Sequence, residues 1–173
     1  TQVKTAAELA REAGYSDSVL ETLFRTAVTS AKKIKTNVVL TEKDRSVPGC
    51  AIDTIETRMG SLFGKNCLVI GNGEMGKLTA ELLIGKGCNV TVTVRNYKRG
   101  EIAIPGGCRA IMYDKRYELM AQMDLVFSAT LSPHYTVKKA LLEAAGYTGG
   151  GIFVDLALPR DIEEAVGCMD RTI

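Results

Sequence analysis

Six residues in the middle of the chain, Gly71-Asn72-Gly73-Glu74-Met75-Gly76, have the types and spacing to cradle a phosphate. In a G-x-G-x-x-G loop the three glycines have separate tasks. Gly71 permits a tight turn, Gly73 lets a pyrophosphate approach the backbone with no Cβ in the way, and Gly76 lets a helix pack closely on a strand. The pyrophosphate then rests on the helix N-terminus, where free N–H groups and the helix dipole favour negative charge. A plain glycine-rich turn can carry the same letters. Context separates the two: here the apolar run Cys67-Leu68-Val69-Ile70 precedes the loop and a helical pattern follows it.

About 20 residues beyond such a loop, a site for NADH places Asp or Glu on the ribose 2′-hydroxyl. This chain instead reads Val94-Arg95-Asn96-Tyr97-Lys98-Arg99, with no acid. Arg95 is suited to clamp a 2′-phosphate and to stack on adenine. Asn96 and Arg99 are further candidates, and Lys98 adds charge. The expected cofactor is therefore NADPH.

Ligands of open α/β sheets bind outside the carboxyl ends of the strands. That places Ser128, Ala129 and Thr130, at the end of another apolar run, beside the cofactor's ribose or nicotinamide. His134 is the sole histidine. It invites an acid–base role, but its place after Pro133 also fits an ordinary loop residue. Asp155, before Leu158-Pro159, suits orienting a loop or a ligand, or simply a turn.

These residues need a scaffold. Val90 to Val94 is rich in β-branched residues and reads as a second strand. Ala110–Tyr113, Leu125–Ala129 and Ile152–Asp155 read as three more. Helical patterns fall between, over Met75–Lys86 (with Leu78, Leu82 and Leu83 inward), Tyr117–Gln122 and Val137–Ala145. Alternation of this kind implies right-handed crossovers and a parallel sheet. The expected fold class is α/β, a Rossmann-type doubly wound parallel sheet with an N-terminal helical segment. In that segment Gly14 ends a first helix. Ser18-Val19-Leu20-Glu21 has the form of a capping box opening a second, whose stripe runs through Leu20, Leu23, Phe24, Ala27, Val28, Ala31 and Ile34. Residues 36–47 read as a linker. Pro48 suits the first turn of a helix carrying Ile52, Ile55, Met59 and Leu62 and ending near Gly64.

Composition bounds the partners. A net charge of +2 over 173 residues gives no bulk attraction to nucleic acid or to an anionic membrane. No apolar run reaches membrane-spanning length. Five cysteines, an odd number without C-x-x-C spacing, suggest neither a disulfide framework nor a zinc site, and point to a reducing, cytoplasmic compartment. The chain begins at Thr1-Gln2-Val3-Lys4 without Met and reads as a segment of a longer one.

Several stretches, in order, resemble glutamyl-tRNA reductase. They are Gln2-Val3-Lys4 with Ala10-Arg11-Glu12-Ala13-Gly14, Leu23-Phe24 through Lys33-Ile34-Lys35-Thr36, Leu68 through Gly76, Arg95 with Tyr97-Lys98-Arg99, Phe127-Ser128-Ala129-Thr130, and Asp155 through Glu163. The chain departs from that family's pattern at Asn37, over Asp44–Cys50, at Val94 and over Gly100–Cys108, as a divergent member would. The resemblance implies that residues 1–45 are a helical remnant of a catalytic domain with its linker, and that 46–173 are an NADP(H)-binding Rossmann domain. It implies an enzyme that forms a thioester from glutamyl-tRNA and reduces it with NADPH to glutamate-1-semialdehyde, for tetrapyrrole synthesis. It further implies a nucleophilic cysteine upstream of Gln2, none of the five cysteines here matching it, and homodimerisation through a domain beyond Ile173. Gln2 matches a family glutamine near the bound glutamate moiety. The residues by themselves also admit a shikimate-dehydrogenase-like or methylene-tetrahydrofolate-dehydrogenase-like reductase, or a non-catalytic dinucleotide-binding module.

Overall fold

In the computed structural model the apolar runs become β1 (Asn66–Ile70), β2 (Asn89–Val94), β3 (Arg109–Met112), β4 (Leu125–Ser128) and β5 (Ile152–Asp155). All pair in parallel, in the order β3-β2-β1-β4-β5. The helices are α1 (Gln2–Glu12), α2 (Ser18–Asn37), α3 (Val47–Met59), α4 (Glu74–Gly85), α5 (Arg116–Met120) and α6 (Lys139–Ala144). The structure describes residues 2–37, 46–95 and 104–169, with only the backbone over 34–37. The doubly wound α/β sheet expected from the sequence is the fold observed.

The chain divides into two compact units, Thr1–Arg45 and Ser46–Ile173. In the second, β1 explains the winding. Its side chains alternate between faces, yet every residue from Cys67 to Ile70 is buried, because helices cover both sides. Cys67 and Val69 join Ile52, Ile55, Leu83, Val92 and Phe127 in one core under α3 and α4. Leu68 and Ile70 join Met120, Val126, Leu142 and Val166 in the other, under α5 and α6. Asp124 pins the amino edge, accepting the Asn66 N–H at 2.8 Å and pairing with Lys65 at 3.2 Å.

Three local expectations are corrected. The N-cap of α2 is Asp17, whose Oδ1 accepts the Leu20 N–H at 2.7 Å. Ser18 lies already inside the helix, and Glu21 binds Arg11 and the Ser16 hydroxyl instead of closing a capping box. Helix α3 stops at Met59, not near Gly64, and Leu62 is buried in the connection that follows. In α4 the buried face is Gly76, Thr79, Ala80 and Leu83, so that Leu78 is exposed rather than inward. The loop turn brings α4 onto the sheet through its small residues, which rotates Leu78 outward.

In the first unit α1 and α2 form a helical hairpin, with a bidentate pair between Arg11 and Glu21 at 2.5 and 2.9 Å. Among the unit's described residues Ala7 alone is fully buried, and Leu20 and Leu23 are exposed. Among all described residues no helix is long and apolar enough to cross a membrane.

Candidate dinucleotide site

The loop from Gly71 to Gly76 leaves the carboxyl end of β1 and enters α4. Thr93, buried in the neighbouring β2, accepts the Gly71 N–H on its hydroxyl at 3.1 Å and fixes where the turn starts. Gly71 sits at φ +107°, and a Cβ there would lie 2.5 Å from the Ala129 carbonyl oxygen. Both facts demand glycine. A Cβ on Gly76 would overlap the Gly71 carbonyl oxygen, since the helix lies directly on the turn. Around Gly73 a Cβ would meet nothing within 4 Å. Gly73 is also the N-cap of α4, and it supplies no side-chain oxygen to the N–H groups of the first turn. The loop thus has room above Gly73 and donors beneath it. That is what a pyrophosphate requires, and the residues present fit a dinucleotide.

The structure brings the predicted β4 residues to this loop. Ala129 donates its N–H to Ile70 O at 2.9 Å, and its carbonyl abuts Gly71. The hydroxyls of Ser128 and Thr130 are engaged inside the fold, by Asp161. This fully buried carboxylate accepts Ser128 Oγ at 2.8 Å, Thr130 N at 2.9 Å and Thr130 Oγ1 at 2.7 Å. Asp155 holds the same corner from the other side. Its two oxygens accept the N–H groups of Ala157, Asp161 and Ile162 at 2.9–3.0 Å. Asp155 therefore orients the loop after β5. Sequence reasoning passed over Asp161, because an acid in a polar Pro-Arg-Asp stretch is usually solvated.

Arg95 directly follows β2 and is exposed. Its guanidinium stacks on the Tyr113 ring, 4.4 Å from the centroid. Asn96 and Arg99 lie outside the described residues, as do Tyr97 and Lys98. Gln2 opens α1 in the other unit and is exposed. His134 is exposed in the loop after β4. It lines an open cleft of about 480 Å³ with Tyr135, Lys138 and Arg160.

The described cysteines are free thiols. Burial pushes the Cys67 thiol well above its ordinary range, and burial likewise raises Cys88 and Cys108. Such thiols are poor nucleophiles. Among the described residues no cluster of three His, Cys, Asp or Glu side chains is placed to hold a metal.

A parallel sheet with this strand order and a glycine loop on its central strand defines a dinucleotide-binding domain of the Rossmann class. The family model for shikimate / quinate 5-dehydrogenase matches residues 53–172, and the chain belongs to that family. Its relatives are more particular. Over 171 residues, 99% of the chain, it is 45% identical to a glutamyl-tRNA reductase of Acetivibrio thermocellus, of which it covers 50%. It is 47% identical over 169 residues to a probable multifunctional siroheme biosynthesis protein of Ruminiclostridium josui, covering 96% of the chain and 32% of that protein. Among solved structures, the glutamyl-tRNA reductase of Methanopyrus kandleri superposes with a TM-score of 0.64 at 33% identity, over 99% of this chain and 44% of that one. The resemblance to glutamyl-tRNA reductase read from the sequence is borne out. The chain spans at most about half the length of these relatives.

Proposed function

We propose that this chain is the reductant-holding part of a glutamyl-tRNA reductase and that its dinucleotide is NADPH. The observation that carries this reading is the similarity to glutamyl-tRNA reductases along 99% of the chain. Within it, the residue following β2 is Arg95 where an NADH site would have an acid.

The residues divide the work. Gly73 leaves the backbone open to the pyrophosphate, and the N–H groups at the start of α4 stabilise its charge. Arg95 takes the 2′-phosphate, with Asn96 and Arg99 as its proposed neighbours in sequence. Ala129 and Thr130 border the loop, and the Asp161 and Asp155 bonds hold the walls at the ends of β4 and β5. Bound NADPH supplies a hydride. The acceptor is a thioester of the glutamyl group on a cysteine outside this chain, as the resemblance to glutamyl-tRNA reductase implies, none of the five cysteines here matching that family's nucleophile. Glutamyl-tRNA is thus the substrate of the longer protein, a homodimer in this reading, and Gln2 lies toward the glutamate moiety. His134 has no assigned part. A cytoplasmic location accords with the free thiols.

Titration calorimetry of the 173-residue chain with both cofactors tests the reading. NADPH is expected to bind about tenfold or more tighter than NADH, as a charge-assisted clamp on the extra phosphate requires. Equal affinities would remove NADPH from the reading. Binding of neither would remove the dinucleotide site.

A further inference from the structure

Arg95 does not stand alone at the edge of the sheet. Val94 and Met112 are register partners, so Arg95 and Tyr113 leave adjacent strands side by side. Arg116 lies on the same Tyr113 ring, 3.9 Å from its centroid, and 4.5 Å from that of Tyr117. Two backbone carbonyls fix Arg116 in place: Nε donates to Thr136 O at 3.0 Å and Nη1 to Tyr113 O at 2.9 Å. Tyr117 reinforces the same point, its hydroxyl donating to Thr136 O at 3.0 Å.

We propose that Tyr113 and Arg116 are positioning residues that set the preference for a 2′-phosphorylated dinucleotide. The anchored Arg116 guanidinium holds the Tyr113 ring, and the ring holds the Arg95 guanidinium beside the end of β2. This rests on the reading of Gly71–Gly76 as a dinucleotide loop. Three physical effects support it. First, an exposed arginine samples many rotamers, and clamping a phosphate costs that freedom. A ring that already restrains the guanidinium lowers the cost. Second, stacking uses the face of a guanidinium, whereas phosphate oxygens are bound by its in-plane fork of donors, so the two contacts do not compete for the same part of the group. Third, Arg116 adds a second positive charge at the same ring, which favours a phosphate dianion held by Arg95. A ribose without the phosphate gains from none of these. The stack therefore acts on selectivity more than on dinucleotide affinity as such.

The experiment is calorimetric titration of the chain with 2′,5′-ADP and with 5′-AMP, for wild type, Tyr113→Leu, Tyr113→Phe, Arg116→Lys and Arg95→Met. Melting temperatures identify the folded variants. Tyr113→Leu is expected to lose about two- to fivefold in affinity for 2′,5′-ADP and to keep its affinity for 5′-AMP. Tyr113→Phe, which keeps the ring, is expected to match wild type. Arg116→Lys is expected to lose 2′,5′-ADP affinity in the same direction, and it decides the matter if Tyr113→Leu does not fold. Equal losses on both ligands would make the stack a brace of the sheet edge and overturn the proposal. So would no loss in Tyr113→Leu or Arg116→Lys, or an Arg95→Met variant that keeps the wild-type preference. If wild type binds neither ligand, the dinucleotide reading fails first and the proposal with it.

Discussion

An alanine at position 71 would put its methyl group 2.5 Å from the Ala129 carbonyl oxygen, on a backbone at φ +107°. At position 76 the methyl would overlap the Gly71 carbonyl, while at position 73 it would meet nothing within 4 Å. The three glycines therefore separate stability from binding. Gly71→Ala and Gly76→Ala are each expected to destabilise the fold by about 1–3 kcal/mol. Gly73→Ala is expected to unfold at the wild-type urea midpoint and to lose at least about tenfold in NADPH affinity, because its methyl occupies the phosphate's approach. Urea denaturation and calorimetry on the three variants check both halves. A Gly73→Ala chain that binds NADPH like wild type would contradict the assignment. The division among the glycines was legible in their spacing, since a turn, an approach and a packing contact fall at fixed offsets from a strand end. The partners of Arg95 were not. Tyr113 and Arg116 lie 18 and 21 residues further on, at |i−j| values with no local periodicity, and only the pairing of β2 with β3 brings them together.

Secondary-structure elements carry the next layer of consequence. The loops after β4 and β5 share one buried acceptor, Asp161, with three donors from Ser128 and Thr130. Asp161→Ala takes that acceptor from the Thr130 N–H and hydroxyl and leaves Ser128 only its contact with the Thr136 hydroxyl at 3.0 Å, and it is expected to cost about 3 kcal/mol, read from the urea midpoint. Between α1 and α2, the Arg11 guanidinium and then the Ser16 hydroxyl hold the Glu21 carboxyl at about 2, below its ordinary range. A carboxyl lowered in the fold contributes stability above its unfolded value and loses it as pH falls through the folded one. The helicity difference between wild type and Glu21→Gln is thus expected to be full at about pH 6, to be mostly lost by about pH 2 and to vanish by about pH 1. Circular dichroism across that range measures it, and a difference that persists in acid would refute the assignment. Element types were readable because apolar runs of four or five residues alternate with helical patterns. Element ends were less so. Asp17 and Ser18 are both good cap residues, and the choice between them depends on where the chain turns after Gly14. Leu78 looked inward by spacing, but the close approach through Gly76 sets the rotation of α4.

For the whole molecule, a ligand that binds only the folded state must stabilise it. NADPH at a hundred times its dissociation constant is expected to add about 2.7 kcal/mol, seen as a raised melting temperature. An unchanged melting temperature at that concentration would exclude specific binding to the fold. The global class was legible from the order of elements and from the loop together. The chemistry of the longer relatives was legible only through resemblance, because no side chain in this segment matches the attacking group.

The central position of β1 bears on how such a chain is made. One edge of β1 is filled by β2 soon after the glycine loop, but the other waits for β4. Asn66 is closed by Asp124, 58 residues further along. At a ribosomal rate of about 5–20 residues per second, that edge stays open for roughly 3–12 s after β1 has emerged. During this interval the run Cys67-Leu68-Val69-Ile70, apolar on both faces, offers an unpaired template to any passing strand. Nascent chains halted between β2 and β4 are expected to be the ones that chaperones retain.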